Sequence, residues 1–262
     1  MTRGRGTGSF WTTSYGGAPV WAIAATTVVA LGAIGAYVTY VNAPEPRYEA
    51  TTAAPTPSAT AFIELPPAGS EVMFFGDSWV AGEVADEGAS FTEVLSKQMG
   101  WVPLVEGFPG SGFTRAARET QGLLTEHAND LDASLTPELV IVNGGVNDAE
   151  DAVNLGAVRT AVNEVVSTIE GKYPDAKLVV LGPFNRSWPL HDGLYDVSLQ
   201  MRAVAQEHGL PFINPVSKAD TWINKSNVDT MIAQGRGHPG NEGHAFIAGR
   251  LGEALTRLVP AS

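Results

Sequence analysis

Short apolar runs alternate with longer amphipathic segments from about residue 70 to the C-terminus. Five mostly apolar runs, each followed within two residues by glycine, asparagine or proline, predict buried strands over residues 72–75, 102–105, 139–142, 177–181 and 211–214. Apolar positions at helical spacing predict helices over residues 91–99, 122–131, 151–172, 194–208 and 243–258. This alternation predicts a parallel sheet covered by helices on both faces, a three-layer α/β/α fold.

The N-terminal part of the chain has a different pattern. Residues 18–41 form an uncharged, mostly apolar run of 24 residues, and a helix of that length would be about 36 Å long, enough to cross a bilayer. Arg3 and Arg5 precede this run, so the positive-inside rule places residues 1–17 in the cytoplasm as a short tail. We therefore expect a single-pass protein of the cell membrane with an extracellular domain. Cleavage of the run as a signal peptide is the alternative, and it would give a secreted protein.

The composition of the chain excludes several kinds of protein and of functional site. Residues 42–70 are rich in Pro, Ala and Thr and predict an extended linker, which leaves residues 71–262 as the domain. The chain carries 28 acidic and 16 basic residues, a net charge of −12, which argues against a nucleic-acid partner. Cysteine is absent, so disulfides and cysteine nucleophiles are excluded. The histidines lack zinc spacing and no phosphate-binding glycine motif occurs. We expect a monomer without metal or cofactor.

Four segments near the predicted carboxyl ends of the strands carry candidate chemistry, and ligands of parallel sheets bind at that edge. Gly76-Asp77-Ser78 places a serine after the first strand, where we expect the start of a helix. Ser111-Gly112-Phe113-Thr114 follows the second strand and offers backbone N–H groups. Gly145-Val146-Asn147-Asp148 follows the third strand, with Asp148 expected to cap the next helix. His238-Pro239 precedes the last helix. Each segment alone is also typical of an ordinary turn or loop.

The four segments in this order resemble the SGNH branch of the GDSL esterase/lipase family over residues 71–259. The resemblance implies the SGNH hydrolase fold, a flavodoxin-like parallel sheet, and a serine hydrolase that acts on ester bonds. It implies that Ser78 is the nucleophile and that His238 is its general base. The backbone N–H groups of Ser78 and Gly112 and the side chain of Asn147 would form the oxyanion hole. The substrate would be a small-molecule, carbohydrate or lipid ester.

One position departs from the family pattern. The family usually has an aspartate three residues before the catalytic histidine, and here that position is Gly235. Asp229, Asp220 or a backbone carbonyl could orient His238 instead. Loss of the third group can reduce the rate by several orders of magnitude when nothing replaces it.

Three functions therefore remain open at this stage. The first is a membrane-anchored esterase that acts on short acyl esters, such as O-acetyl groups of envelope carbohydrate. The second is an O-acyltransferase that uses the same site, and the third is a weakened glycan-binding pseudoenzyme. Asn185, Arg186 and Trp188, after the fourth strand, are candidates for binding the substrate in any of these functions.

Overall fold

In the computed structural model, the described residues are 14–15, 18–19, 62–116, 118, 121–149 and 154–259. The chain divides into two compact units, Met1–Thr56 and Pro57–Ser262. In the first unit, Ser14–Tyr15 (β1) and Ala18–Pro19 (β2) form a short antiparallel pair.

The predicted membrane span lies almost entirely outside the described residues. Its first two residues belong to β2, and residues 20–41 are not described. Within the described ranges, no helix has the length and apolar character needed to cross a membrane. Apart from Ser14–Tyr15, the tail of residues 1–17 also lies outside these ranges, as does most of the linker, so the anchor stays a prediction.

The second unit is built on a parallel five-stranded sheet. Its strands are Glu71–Gly76 (β3), Val102–Gly107 (β4), Leu139–Asn143 (β5), Lys177–Leu181 (β6) and Phe212–Ile213 (β7). Their order across the sheet is β4-β3-β5-β6-β7, which is the flavodoxin-like order. The five predicted strands and the α/β fold class are therefore confirmed.

Helices cover both faces of this sheet. They are Phe91–Met99 (α1), Leu124–Asp130 (α2), Leu155–Lys172 (α3), Asp192–Glu207 (α4), Val228–Met231 (α5) and Asn241–Arg257 (α6). Helix α1 packs against α6, whereas α2, α3 and α4 pack on one another in chain order. The central strands β3 and β5 are buried almost throughout, as expected for a sheet between two helical layers.

In the second unit the structure has three short elements beyond the predicted set, and the largest shift of a helix start is four residues. A hairpin of Val216–Ser217 (β8) and Asp220–Thr221 (β9) and the helix α5 are too short to show a hydrophobic period. Helix α3 begins four residues later than predicted, because the side chain of Asn154 caps it by accepting from the N–H of Ala157 at 3.1 Å.

A close approach between strands brings the functional loops together. Gly76, the last residue of β3, pairs with Gly107 at the end of β4. A Cβ at position 76 would collide with the carbonyl oxygen of Asn143, the last residue of β5. Glycine at this position therefore lets β3 and β5 end side by side. The loops that carry Ser78, Gly112 and Asn147 consequently start from three adjacent strand ends.

Candidate active site

Ser78 and His238 meet beyond the carboxyl end of the sheet. Ser78 lies in the turn after β3, and its Oγ is 2.7 Å from Nε2 of His238, in the loop before α6. That separation is typical of a short hydrogen bond between a hydroxyl and an imidazole nitrogen. The structure therefore brings the expected nucleophile and the expected base into contact, although they are 160 residues apart in sequence.

The helix expected directly after Ser78 is not present. Residues 78–84 form consecutive turns, and α1 begins only at Phe91. The N–H of Ala81 donates to the carbonyl of Asp77, but Gly82 has a φ of +74°, which interrupts helical geometry. Ser78 therefore lies on an irregular turn, and the dipole of a long helix does not act on it.

A backbone carbonyl orients His238. Its Nδ1 is 2.9 Å from the carbonyl oxygen of Arg236, and because a carbonyl only accepts hydrogen bonds, Nδ1 carries the proton. Nε2 is then the acceptor for the hydroxyl of Ser78, as a general base requires. Gly235 and Gly237 flank Arg236 with φ values of +71° and +65°, a left-handed conformation that favours glycine. These two glycines shape the turn that aims the carbonyl at the imidazole.

The two acids that were candidates to orient His238 lie elsewhere. Asp220, in β9, forms an ion pair with Arg250 of α6. Asp229 is exposed on the short helix α5. The hydrogen bond to the carbonyl of Arg236 accounts for the orientation of His238 without either carboxylate.

We predict that Asp220→Asn and Asp229→Asn each retain the ester-hydrolysis rate of the unchanged protein within about twofold, the range of a surface substitution. Steady-state kcat/KM for p-nitrophenyl acetate measures this. A loss above about tenfold in either variant would show that a carboxylate reaches His238 during turnover, contrary to the geometry described above.

Glu83 is a site residue that the sequence analysis missed. Its Oε2 lies 3.4 Å from Nε2 of His238, and its side chain is 44% exposed. Once Nε2 has accepted the proton of Ser78, the carboxylate is close enough to pair with the imidazolium. An acid five positions after a candidate nucleophile has no distinctive pattern, so the sequence alone offered no signal for this contact.

Asn147 and Asp148 hold the glycine-rich loop against the end of β5. Nδ2 of Asn147 donates to the carbonyl of Ser111 at 2.8 Å, which leaves its second amide hydrogen for a ligand. The carboxylate of Asp148 accepts from the backbone N–H groups of Phe113 and Thr114 at 2.9 and 2.7 Å. The expected role of Asp148 as a helix cap is therefore wrong, because this carboxylate organises the loop around Gly112.

We predict that Gly112→Ala lowers kcat for p-nitrophenyl acetate by about 10²–10³, the usual effect of losing one oxyanion donor. A Cβ at position 112 would lie 2.5 Å from the carbonyl oxygen of Arg115 and 2.8 Å from Oδ2 of Asp148. The loop must shift, and its N–H groups shift with it. Gly171→Ala, in α3 where a Cβ meets open space, is the matched control. Equal rates in both variants would exclude Gly112 from the oxyanion hole.

An open cleft gives access to Ser78. It has a volume of about 340 Å³, and its lining includes Ser78, Asn147 and His238 together with Glu83, Arg118 and Arg186. Gly112 is buried and is not among the described lining residues of the cleft.

The expected substrate-binding residues fall in three different places. Arg186 lines the cleft and also a second cavity of about 250 Å³. Asn185 lines that second cavity, and its buried side chain donates to the carbonyl of Ile223. Trp188 is 45% exposed and lines neither space among the described residues.

Asp77 is buried directly beside the nucleophile. Its Oδ1 accepts from the N–H of Trp79 at 2.9 Å, whereas its Oδ2 has no hydrogen-bond partner. Burial raises the pKa of the Asp77 carboxyl from 3.8 to about 7, and the negative charges of Asp148 and Glu83 add to this rise. Asp77 therefore retains a proton in the folded state at pH values where the unfolded chain has released it.

This pKa predicts a pH-dependent stability difference between the unchanged protein and Asp77→Asn. From pH 3.8 to about 7 the folded state binds the extra proton, so the free energy of unfolding falls as pH rises through that window. The change contributed by Asp77 is at most about 4 kcal/mol. Urea unfolding at both ends of the window should show the variant gaining stability relative to the unchanged protein as pH rises. A pH-independent difference would contradict the assigned ionisation.

A second histidine near the site has a packing role. His244 is fully buried in α6, stacks on the ring of Phe91, and accepts from the N–H of Phe91 at 3.1 Å. Burial lowers the pKa of His244 to about 4, so it stays neutral near pH 7. Among the described residues, no group of three or more His, Asp or Glu side chains is arranged to hold a metal ion.

Comparisons with known proteins identify the family of the chain. The GDSL-like Lipase/Acylhydrolase family matches residues 74–246, from β3 into α6. No curated sequence matches. The solved structures that share the fold over about three quarters of this chain include two family 2 carbohydrate esterases and one aryl esterase.

The carbohydrate esterase of Corynascus thermopiles (Myceliophthora fergusii), solved with a carbohydrate-binding domain, is 18% identical to this chain, with a TM-score of 0.56. The match covers 75% of this chain and 69% of the esterase chain. The esterase of Clostridium thermocellum, in complex with cellohexaose, is 16% identical, with a TM-score of 0.57. The match covers 74% of this chain and 66% of the esterase chain. The M. smegmatis aryl esterase is 18% identical, with a TM-score of 0.55. The match covers 73% of this chain and 100% of the esterase chain. These similarities show the fold, and the family match shows that the chain belongs to the GDSL-like lipase/acylhydrolase family of ester hydrolases.

Proposed function

We propose that the chain is a serine esterase that removes short acyl groups, in particular O-acetyl groups, from carbohydrate of the cell envelope. The observation that carries this proposal is the 2.7 Å contact between Oγ of Ser78 and Nε2 of His238, with Nδ1 of that histidine on the carbonyl of Arg236. An open cleft leads to this pair.

The geometry supports a two-step mechanism. His238 takes the proton of Ser78 as Oγ attacks the ester carbonyl, and the N–H groups of Ser78 and Gly112 together with the side chain of Asn147 stabilise the resulting oxyanion. The protonated Nε2 then gives its proton to the leaving alcohol, and an acyl-enzyme remains on Ser78. Water attacks this ester, again with His238 as base, and releases the carboxylic acid and free Ser78.

The lining of the cleft supports a short acyl group and a polar alcohol. Among the described residues that line it, Trp79, Pro109 and Val146 are apolar, whereas charged and amide side chains form much of the remaining surface. A long alkyl chain would need a continuous apolar groove to gain binding energy. Sugar hydroxyls, in contrast, are well matched to amide and guanidinium groups. The two structurally similar carbohydrate esterases support the same substrate class.

We place this activity outside the cytoplasm, at the membrane. The proposal rests on the uncharged run of residues 18–41 and on the two arginines before it. The linker of residues 42–70 would hold the domain away from the lipid surface. An immunoblot of fractionated cells tests this location, and full-length protein in the soluble extracellular fraction would contradict it.

The activity is tested with the full-length protein on p-nitrophenyl acetate, p-nitrophenyl octanoate and acetylated xylan. We expect a higher kcat/KM for the acetate than for the octanoate, and acetate release from the xylan. Preference for the octanoate would contradict the short-chain assignment. Transfer of acetyl to an added sugar without release of free acetate would favour an acyltransferase instead.

A further inference from the structure

Glu83 is an acid beside the nucleophile and its base. Its Oε2 is 3.4 Å from Nε2 of His238, and its side chain is exposed on the wall of the cleft that contains Ser78. Among the described residues that line this cleft, no other side chain carries a carboxylate. Glu83 is therefore a hydrogen-bond acceptor next to the nitrogen atom that exchanges protons in the proposed reaction.

The backbone fixes Glu83 in this position. Val84, the next residue, has a φ of +77°, a left-handed conformation that is an outlier for a β-branched side chain. The N–H of Glu83 donates to the carbonyl of Ser78 at 3.0 Å, and the side chain of Asn241, in α6, hydrogen-bonds to both the N–H and the carboxylate of Asp86. Backbone strain of this kind persists only where the surroundings enforce it, and it is concentrated at active sites and ligand-binding sites.

The carboxylate of Glu83 can accept a further hydrogen bond. In the resting site Nε2 of His238 accepts from the hydroxyl of Ser78 at 2.7 Å, and the ring hydrogen is on Nδ1, so Nε2 has no hydrogen to donate to Glu83. An ionised carboxylate has about four acceptor positions. A hydroxyl of a ligand in the cleft can therefore donate to Glu83 without displacing His238.

The contact with His238 places Glu83 on the side of the leaving alcohol. In the proposed mechanism the oxygen of the leaving alcohol takes its proton from Nε2, so it must come within about 2.7–3.2 Å of that atom. Oε2 of Glu83 is 3.4 Å from the same atom. A hydroxyl on the carbon next to the acylated carbon lies beside the ester oxygen. Such a hydroxyl is within reach of the carboxylate when the ester oxygen is within reach of the imidazole.

We propose that Glu83 selects acyl esters in which the neighbouring carbon of the alcohol carries a free hydroxyl. This hydroxyl would donate to the carboxylate, and hydrogen bonds to a charged acceptor are shorter and stronger than those between neutral groups. Partly acylated sugars have this vicinal arrangement, whereas esters of simple alcohols and fully acylated sugars lack the free hydroxyl. The inference rests on the proposed esterase function and names its substrate class more narrowly.

Three acetates of one ring test the inference with the full-length protein. In trans-2-hydroxycyclohexyl acetate the hydroxyl is free, trans-2-methoxycyclohexyl acetate has the same oxygen without its hydrogen, and cyclohexyl acetate controls for the bulk of the methoxy group. Each kcat/KM is divided by the alkaline hydrolysis rate of the same ester without protein, which corrects for chemical reactivity. We expect the hydroxyl ester to exceed both others by about tenfold or more, the effect of one hydrogen bond to a charged group. Equal corrected values for the three esters overturn the inference.

Substitution of Glu83 tests whether its carboxylate causes the preference. Glu83→Ala should abolish the preference, and Glu83→Gln, which keeps an acceptor oxygen without the charge, should retain part of it. Any effect of Glu83 on the charge of His238 acts on the three esters alike and cancels in their ratios. Glu87→Ala removes an exposed acid from the same loop, outside the described lining of the cleft, and should keep the full preference. An undiminished preference in Glu83→Ala overturns the inference.

Binding to Ser78→Ala separates this inference from the proposed function. The hydroxyl and methoxy esters are titrated into this full-length variant, which retains Glu83 and lacks the nucleophile, and their binding is followed by NMR. Tighter binding of the hydroxyl ester, with no ester hydrolysis by the unchanged protein, would refute the esterase and support the contact with Glu83. Hydrolysis of both esters at equal corrected rates would refute the contact and leave the esterase standing. Equal affinity without hydrolysis would refute both.

Discussion

Ser78→Ala is expected to lower kcat/KM for p-nitrophenyl acetate by at least about a thousandfold. The variant lacks the hydroxyl that lies 2.7 Å from Nε2 of His238, so no acyl-enzyme can form. In serine hydrolases with a complete triad, loss of the nucleophile reduces kcat by about 10⁶, and the residual rate comes from the oxyanion hole and substrate binding. We expect a smaller loss here because a neutral carbonyl, rather than a carboxylate, supports the histidine.

Initial rates of the purified full-length proteins measure this loss, with thermal unfolding to show that the variant is folded. Ser134→Ala is the matched control, since Ser134 is an exposed loop serine that precedes β5. A Ser78→Ala protein with the activity of the control would remove Ser78 from the reaction.

His238→Ala is expected to cause a loss of similar size, and the double variant Ser78→Ala/His238→Ala should be no slower than either single variant. Nucleophile and base act as one unit, so once either is absent the other contributes nothing more to the rate. His208→Gln is the control, because His208 contacts Glu170 and Asn163 of α3 rather than the cleft. Additive losses in the double variant would indicate that the two residues act in separate steps.

The carbonyl of Arg236 explains how a site without the usual aspartate can work. Much of the damage caused by removing a triad carboxylate arises because the histidine takes the wrong tautomer. Here the carbonyl accepts from Nδ1 at 2.9 Å and therefore keeps Nε2 free for Ser78. What the carbonyl lacks is a full negative charge. The carboxylate of Glu83, 3.4 Å from Nε2, supplies a negative charge on the other side of the ring.

The sheet and the residues that meet in the cleft could be predicted from the sequence, because both predictions depend on residue type. Continuous apolar runs are typical of strands buried on both faces, and all five predicted runs form the sheet. Ser78, Asn147 and His238 follow strand ends or precede the last helix, and the fold brings them to one cleft. The sequence indicated that Gly76 is a turn residue. Only the structure shows that the missing side chain of Gly76 lets β3 lie close to the carbonyl of Asn143.

The remaining features depend on backbone groups or on distant contacts that no residue pattern reveals. The orienting group of His238 is a carbonyl, which every residue carries, so the sequence could only show that Gly235 was not an acid. Asp148 was a reasonable helix cap by position, but its carboxylate accepts from the N–H of Phe113, 35 residues earlier, in the loop around Gly112. The contact of Glu83 with His238 likewise depends on tertiary placement.

The central claim is that Ser78 carries the acyl group during turnover. Rapid acid quenching of the full-length protein with p-nitrophenyl acetate, followed by peptide mass mapping, tests it most directly. We predict one added acetyl group on the peptide that contains Ser78, and none on the same peptide of Ser78→Ala. Turnover with Ser78 unmodified, or with the acetyl group on another residue that turnover requires, would contradict the assignment of Ser78 as nucleophile.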